Sequence, residues 1–275
     1  MMNRTFQLFY QIALFAFLCG CGGADSHELS PPTGEKIKLA LNLKPGDRKK
    51  LTVEVDSDSK TQVAGKEMVI TMKIVSMMDL EVLEVNAVGE HLIKLTYAKM
   101  SMDMDGGPMN MNFDSSDPQG SESPMAAVLS GIIGQHFTVR MSNTGKTLGF
   151  DVAEGMNPLV KQQIEQTMQN FSLGTTFPDF RVDNGDTWKS AITQDVNAIK
   201  FTNISTNTLL DQSNGLATIG VSGVMEGEMT GTSTGMIKFD LRTGWIDSGE
   251  LSMDTLMDKP GLEVESEIKM TFSGK

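Results

Sequence analysis

Apolar and polar residues alternate over much of this chain, starting near residue 36. A period of two is typical of antiparallel strands that bury one face of a sheet. Four strands are predicted first, with apolar alternation over Ile37–Leu43, Leu51–Val55, Met68–Ile74 and Leu83–Ala87. The polar or glycine-containing stretches between them predict turns at Pro45–Asp47, Asp56–Lys60 and Gly89–Glu90.

The fifth predicted strand changes parity part-way along. Ile93, Leu95 and Tyr97 are apolar at odd positions, whereas Met100, Met102 and Met104 are apolar at even positions. A β-bulge near Ala98–Lys99 would place both sets on one face, because a bulge inserts one extra residue into a strand. The alternation then resumes after a Gly-Gly-Pro turn with Met109, Met111 and Phe113, so the two runs are predicted to pair as a hairpin.

Two short helices are predicted among the strands. Residues 124–134 are apolar enough to lie against a sheet. Residues 157–171 have Asn157 as N-cap, Pro158 in the first turn and one apolar face. Further hairpins and strands are predicted at 136–152, 211–224, 236–251 and 262–272.

The order of turns and strands in the second half repeats that of the first. The fold is therefore predicted to be mainly β, with a curved antiparallel sheet or open barrel. It would be built as one β-rich domain, 36–275, from pseudo-repeated halves of about 36–155 and 177–275, which helix 157–171 joins. The alternation does not decide whether the halves share one sheet.

The first residues have the layout of a secretory signal peptide: a basic residue, Arg4, followed by an apolar stretch too short to cross a bilayer. Leu18-Cys19-Gly20-Cys21 resembles the lipobox of bacterial lipoproteins. That resemblance implies removal of residues 1–20 and lipidation of Cys21, with 21–35 as a flexible tether that is poor in apolar residues. The protein would then be attached to the cell envelope by its lipid, with the outer membrane favoured, facing the periplasm or the surface.

The net charge of the chain is −12 at pH 7, and the mature chain would be one unit more negative because it loses Arg4. An acidic chain is poorly suited to bind nucleic acid. The mature chain has no cysteine after Cys21, which excludes an internal disulfide. The expected partners are the membrane, through the lipid, and an apolar ligand or another envelope protein.

The strongest family resemblance lies in the second half. Pro178, the stretch Val182–Trp188, Gly235 and the stretch Asp240–Trp245 look like the motifs of a family of β-rich bacterial lipoproteins of unknown function. These motifs are turn residues and not catalytic groups, so the resemblance implies a fold and a compartment but no reaction. Asp186 and Asp240 are expected to stabilise turns, and Trp188 and Trp245 to pack in the core.

The candidate site is a methionine cluster that consists of Met100, Met102, Met104, Met109 and Met111. Methionines at period two are typical of an adaptable core or of the lining of an apolar cavity. Clustered thioethers also select Cu(I), and they can serve as an oxidisable surface. The neighbouring Asp103, Asp105, Asp114 and Asp117 do not fit a calcium loop, and no metal or cofactor is predicted.

No motif of a known catalytic site is present, and the three histidines of the mature chain, His27, His91 and His136, lack metal-type spacing. The chain is therefore predicted not to be an enzyme. The favoured function is binding of an apolar ligand or a partner lipoprotein on a methionine-lined concave face. The alternatives are a structural envelope lipoprotein without a small ligand and a periplasmic Cu(I)-binding protein.

Overall fold

The computed structural model of the protein describes residues 30–63, 66–106, 110–117, 124–152, 161, 176–196, 199–259 and 262–275. The predicted signal peptide, Cys21, Met109 and helix 157–171 lie outside these described residues, apart from the single residue Lys161. Within them the chain is mainly β, with one short helix, α1 (Pro124–Ile132), at the first predicted helical position. Ala126, Leu129 and Ile132 of this helix are buried, as the predicted contact with the sheet requires.

The described strands are twelve in number and run antiparallel to their neighbours. In chain order they are β1 (Arg48–Val63), β2 (Lys66–Val85), β3 (His91–Asp105), β4 (Met111–Asp114), β5 (His136–Met141), β6 (Thr147–Val152), β7 (Thr187–Val196), β8 (Ile199–Ser213), β9 (Leu216–Gly227), β10 (Thr230–Asp240), β11 (Ile246–Lys259) and β12 (Leu262–Gly274).

All twelve strands belong to one sheet, in the order β6-β5-β3-β2-β1-β12-β11-β10-β9-β8-β7, with β4 paired beside β5 on the same edge of β3. Each half of the chain is a meander, and the first and last strands, β1 and β12, join the two meanders along their whole length. The two halves therefore form one continuous sheet. Its end strands β6 and β7 are not paired with each other, so the sheet is open.

The sheet curves strongly enough to bring its two edges together at one end. We call this the upper end, where β1 begins at Arg48 and β12 ends at Gly274. Ten steps of about 4.8 Å would separate the edge strands of a flat sheet by about 48 Å. Yet the backbone N–H of Phe177 donates a hydrogen bond to the carbonyl oxygen of Thr144, between β5 and β6 (2.8 Å). The preceding residue, Thr176, is held at β7, because its carbonyl oxygen accepts a hydrogen bond from the indole N–H of Trp188 (2.8 Å).

One face of the sheet is buried, and we call it the inner face. The predicted bulge in β3 is confirmed: Met77 of β2 is opposite Lys99 and Met78 is opposite Tyr97, so Ala98 is the extra residue. As a result Tyr97 and the methionines that follow it all point to the inner face. The parity change in the sequence therefore reports a bulge and not a change of face.

Three predictions for the first 90 residues are wrong. Asp56–Lys60 is not a turn but part of β1, and its inward side chains Ser57 and Ser59 are buried. The predicted strands at Met68–Ile74 and Leu83–Ala87 are one strand, β2, in which Leu83 lies at a second bulge and is 42% exposed. Ile37–Leu43 forms only an isolated bridge, between Ile37 and Val182.

The stretch 30–47, which we call the N-terminal segment, crosses the upper end of the sheet. Its backbone N–H groups donate hydrogen bonds to carbonyl oxygens from both halves: Ser30 to Leu210, Leu41 to Asn143, Asn42 to Thr243 and Gly46 to Val82. Its alternating leucines, Leu39, Leu41 and Leu43, are buried in the core. The alternating leucines are therefore buried as predicted, but the segment that carries them covers the end of the sheet and does not add a strand.

Candidate functional site

The methionine cluster lies on the inner face, where the bulge in β3 places it. Met100, Met102, Met104 and Met111 are each at most 8% exposed and belong to the continuous hydrophobic core. Met104 lies between Met111 of β4 and Met72 of β2 in the ladder. The structure thus brings four of the five predicted residues together on one buried surface, and the fifth, Met109, lies outside the described residues.

The inner face changes character in the second half of the sheet. Asn203, Ser205 and Asn207 point inward from β8, and Ser233 points inward from β10. All four are at most 7% exposed. Between these strands, β9 presents Gly223, which has no side chain. The inner face therefore has a methionine-rich region on β2–β4 and a polar region on β8–β10.

Among the buried polar side chains of the described strands, His91 has the one ionisable group. The others are serine, threonine and asparagine residues. Some satisfy each other: the hydroxyl groups of Ser59 and Ser266 lie 2.8 Å apart across the β1–β12 pair. Asn207 donates to the hydroxyl of Ser190 at 3.3 Å. This chemistry suits neutral hydrogen-bonding groups and not ions, because burying an unpaired charge is very costly.

The polar region was not predicted from the sequence, although a signal for it exists. Asn203, Ser205 and Asn207 have the same parity as Phe201 and Leu209, which are both buried. In a strand, residues of equal parity share a face. Three polar residues between two inward hydrophobic ones therefore predict a polar patch on the inner face.

Asp183 attaches the N-terminal segment to the second half of the sheet. Its carboxylate accepts hydrogen bonds from the backbone and hydroxyl of Thr33, the backbone N–H groups of Gly34 and Asn184, and the side chain of Gln212. Burial acts to raise the pKa of Asp183, but the bonds from Thr33, Asn184 and Gly34 outweigh it and lower this pKa to about 2. Residues 33 and 34, expected to be part of the tether, are thus fixed to the domain.

The two aspartates and two tryptophans of the second-half motifs have the expected structural roles. The side chain of Asp240 accepts hydrogen bonds from the backbone of Arg242 and Thr243 at 2.8 and 3.0 Å. Asp186 accepts one from the backbone of Asp183 at 3.0 Å and forms an ion pair with Lys36. Trp188 and Trp245 are buried, at 7% and 5% exposure.

The two histidines among the described residues lie at opposite ends of the β3–β5 pair. His91 is buried opposite Met141, while His136 is exposed at the other end of β5, opposite Thr96. Burial lowers the pKa of His91. No group of three or more histidine, cysteine or acidic residues within the described ranges could hold a metal ion.

An open groove of about 650 Å³ lies on the outer face, over β1, β10, β11 and β12. It is lined by exposed side chains of both charges, including Asp58, Lys60, Asp254 and Glu267. Among the helices that the structure describes, none has the length and apolar character needed to cross a membrane.

These features define a class of protein: an open, curved, antiparallel β-sheet with one buried face, whose upper end is covered by the N-terminal segment. A family of unknown function (DUF6263) matches residues 89–246, which is more than half of the chain. The chain belongs to this family. The resemblance to a β-rich family of unknown function is confirmed to that extent. No curated protein sequence matches the chain significantly.

Among solved structures, the fold is similar to that of lipovitellin, with a TM-score of 0.50 and 10% identity. The similarity covers 84% of this chain but only 25% of the lipovitellin chain, so this protein spans about a quarter of that one. The likeness shows the fold alone.

Two further matches have low TM-scores and support no argument about the fold. DynF from Micromonospora chersina is 6% identical, with a TM-score of 0.21 over 91% of this chain and 90% of its own. The translocator domain of NalP from Neisseria meningitidis is 6% identical, with a TM-score of 0.27 over 85% of this chain and 90% of its own.

Proposed function

We propose that this protein is a lipid-anchored, non-catalytic protein of the bacterial envelope that binds an apolar ligand, such as an acyl chain, on its inner face. The observation that carries the proposal is the methionine-rich region of a curved, open sheet. Unbranched thioether side chains adapt to irregular ligands better than branched aliphatic ones. Pockets for small molecules are mostly apolar, with a few polar groups that fix orientation.

The fold of lipovitellin supports the same reading. The matching structure of that protein was described for its lipid–protein interactions. The likeness is one of fold, and the proposal extends it to an apolar ligand on the inner face of this chain. Two features support a non-catalytic role. His91 of β3 and His136 of β5 lie at opposite ends of the β3–β5 pair, and Asp186 and Asp240 stabilise turns.

Ligand binding can be tested with the full-length protein and two tritiated probes, palmitic acid and 1-monopalmitoylglycerol. Met104→Gln places a polar amide in the methionine-rich region, whereas Met77→Gln makes the same change at a 36% exposed position on the outer face. A buried amide without a partner costs about 1–3 kcal/mol. We expect Met104→Gln to weaken binding about tenfold and Met77→Gln to leave it unchanged. Binding of neither probe, or equal losses in both variants, would refute ligand binding.

The lipid anchor is supported by the lipobox-like sequence that ends at Cys21. Metabolic labelling of the expressing bacterium with an alkynyl fatty acid should mark the protein. Cys21→Ser should abolish labelling and release the protein from the membrane fraction, while Cys19→Ser should retain both properties. Loss of labelling in Cys19→Ser but not in Cys21→Ser would place the lipid on Cys19 and overturn this part of the proposal.

A further inference from the structure

The hydroxyl group of Ser233 has no hydrogen-bond partner although its side chain is almost fully buried, at 2% exposure. Polar groups removed from water are nearly always hydrogen-bonded, so an unpaired buried hydroxyl calls for an explanation. Ser233 points from β10 into the polar region of the inner face, opposite Gly223 of β9 and Met253 of β11.

Two other oxygens converge with this hydroxyl over Gly223. A Cβ atom built on Gly223 would lie 2.3 Å from Ser233 Oγ, 2.9 Å from Asn203 Oδ1 and 3.2 Å from Ser205 Oγ. Oxygens from two flanking strands thus surround one point on the inner face. They occupy this position because residue 223 has no side chain. Alanine here would collide with Ser233 Oγ and Asn203 Oδ1 and would crowd Ser205 Oγ.

The polar region is continuous with the methionine-rich region along one row of the sheet. Ladder partners connect Ser233 to Met253, Ile268, Ser57, Met72 and finally Met104. This row runs from β10 to β3 in five steps between neighbouring strands, about 24 Å along the curved surface at about 4.8 Å per step. Its polar and apolar ends therefore lie on a single buried surface, which is the arrangement that an amphipathic molecule requires.

We infer that the polar region around Ser233, Asn203 and Ser205 binds the uncharged, hydroxyl-bearing head group of an amphipathic lipid whose acyl chain lies toward the methionines. This inference rests on the proposed function and names its ligand class. The buried polar side chains of the described strands include no lysine, arginine, aspartate or glutamate. A carboxylate or phosphate head group would lose its hydration there without a cation to replace it. The hydroxyls of a monoacylglycerol can both donate to and accept from serine and asparagine.

The test compares 1-monopalmitoylglycerol with palmitic acid, which share an acyl chain and differ in the head group. The full-length protein should bind the monoacylglycerol more tightly. Ser233→Ala should weaken binding of the monoacylglycerol about 3- to 10-fold, as expected for one neutral hydrogen bond, and leave the affinity for palmitic acid unchanged. Thr232→Ala, at the exposed neighbouring position on the outer face, is the matched control and should affect neither probe.

Protein stability separates a binding role of Ser233 from a structural one. Removing a hydroxyl that has no partner should leave the ligand-free protein equally stable or slightly more stable. If Ser233 served the fold alone, Ser233→Ala would lower the urea midpoint and weaken both probes together. Gly223→Ala is a second variant, and it should reduce selectivity for the monoacylglycerol by displacing the three oxygens.

The outcomes distinguish this inference from the function on which it rests. Tighter or equal binding of palmitic acid, or equal effects of Ser233→Ala on the two probes, overturns the head-group assignment and leaves acyl-chain binding intact. Binding of neither probe overturns both. A selective loss of monoacylglycerol affinity in Ser233→Ala, with retained stability, establishes the assignment.

Discussion

Replacement of Gly244 tests whether the N-terminal segment is a structural part of the domain. Gly244 lies in the turn between β10 and β11 with a φ of 76°, a conformation that favours glycine. A Cβ atom at this position would lie 2.3 Å from the carbonyl oxygen of Ala40 and 3.0 Å from Cα of Leu41. Gly244→Ala therefore forces the segment away from the upper end of the sheet.

The chain offers a matched control for the backbone strain. Gly215, in the turn between β8 and β9, has a φ of 77°, but a Cβ atom there would have no atom within 4 Å beyond its chain neighbours. Alanine in a left-handed conformation costs about 1–2 kcal/mol at either site. The collision with backbone atoms adds about 1–3 kcal/mol at Gly244 alone, as overpacking does elsewhere. The difference between the two variants therefore measures the contact with the segment.

Urea titration of both full-length variants gives their free energies of unfolding, and trypsin cleavage after Lys38 reports detachment of the segment. Gly244→Ala should be less stable than Gly215→Ala by about 1–3 kcal/mol and should be cleaved faster. Equal stability and equal cleavage in the two variants would show that the segment does not pack against this turn.

Three further perturbations follow from the same structure. Asp183→Ala should release Thr33 and Gly34 and accelerate trypsin cleavage after Lys38; an unchanged rate would mean that the carboxylate does not hold the segment. Burial lowers the pKa of His91 from its ordinary value of 6.5, so the unfolded chain takes up a proton at a higher pH than the folded protein does. The free energy of unfolding should therefore fall as the pH decreases below about 6.5. His91→Leu should reduce that pH dependence in urea titrations, and an identical profile would contradict the assignment. Phe113→Ala, at a buried position, should lower the free energy of unfolding by about 3–5 kcal/mol. Phe180→Ala, at 49% exposure, should lower it by less than about 0.5 kcal/mol. Similar losses in urea titrations of the two variants would place Phe113 outside the core.

Local alternation predicted most of the strands because each inward position is decided by its immediate neighbours. The clearest case is β3, where a change of parity identified the bulge at Ala98 and with it the common face of the methionines. Turns were equally predictable where glycine adopts a positive φ, as at Gly46 and Gly89. These features depend on residues that are close in sequence.

The failures come from partners that are distant in sequence. Ser57 and Ser59 were predicted to lie in a polar turn. The hydroxyl of Ser59 instead forms a hydrogen bond with that of Ser266, 207 residues later, and no neighbouring residue indicates this partner. The same holds for Asp183, whose main hydrogen-bond partner Thr33 lies 150 residues away. A polar residue can occupy the inner face when such a partner exists, and composition alone cannot show that partner.

The attachment of the N-terminal segment determines how the proposed anchor and the proposed ligand site are arranged. Ser30 lies nine positions after Cys21, and a fully extended chain spans about 3.5 Å per position. A lipid on Cys21 would therefore hold the upper end of the sheet within about 32 Å of the bilayer. Ser59 is eight residues below Leu51 on β1, about 26 Å farther along the strand at about 3.3 Å per residue. Because Leu39, Leu41 and Leu43 are buried at the upper end of the inner face, the proposed ligand would lie below them, on the side of the serines of β1 and farther from the bilayer than the attached segment.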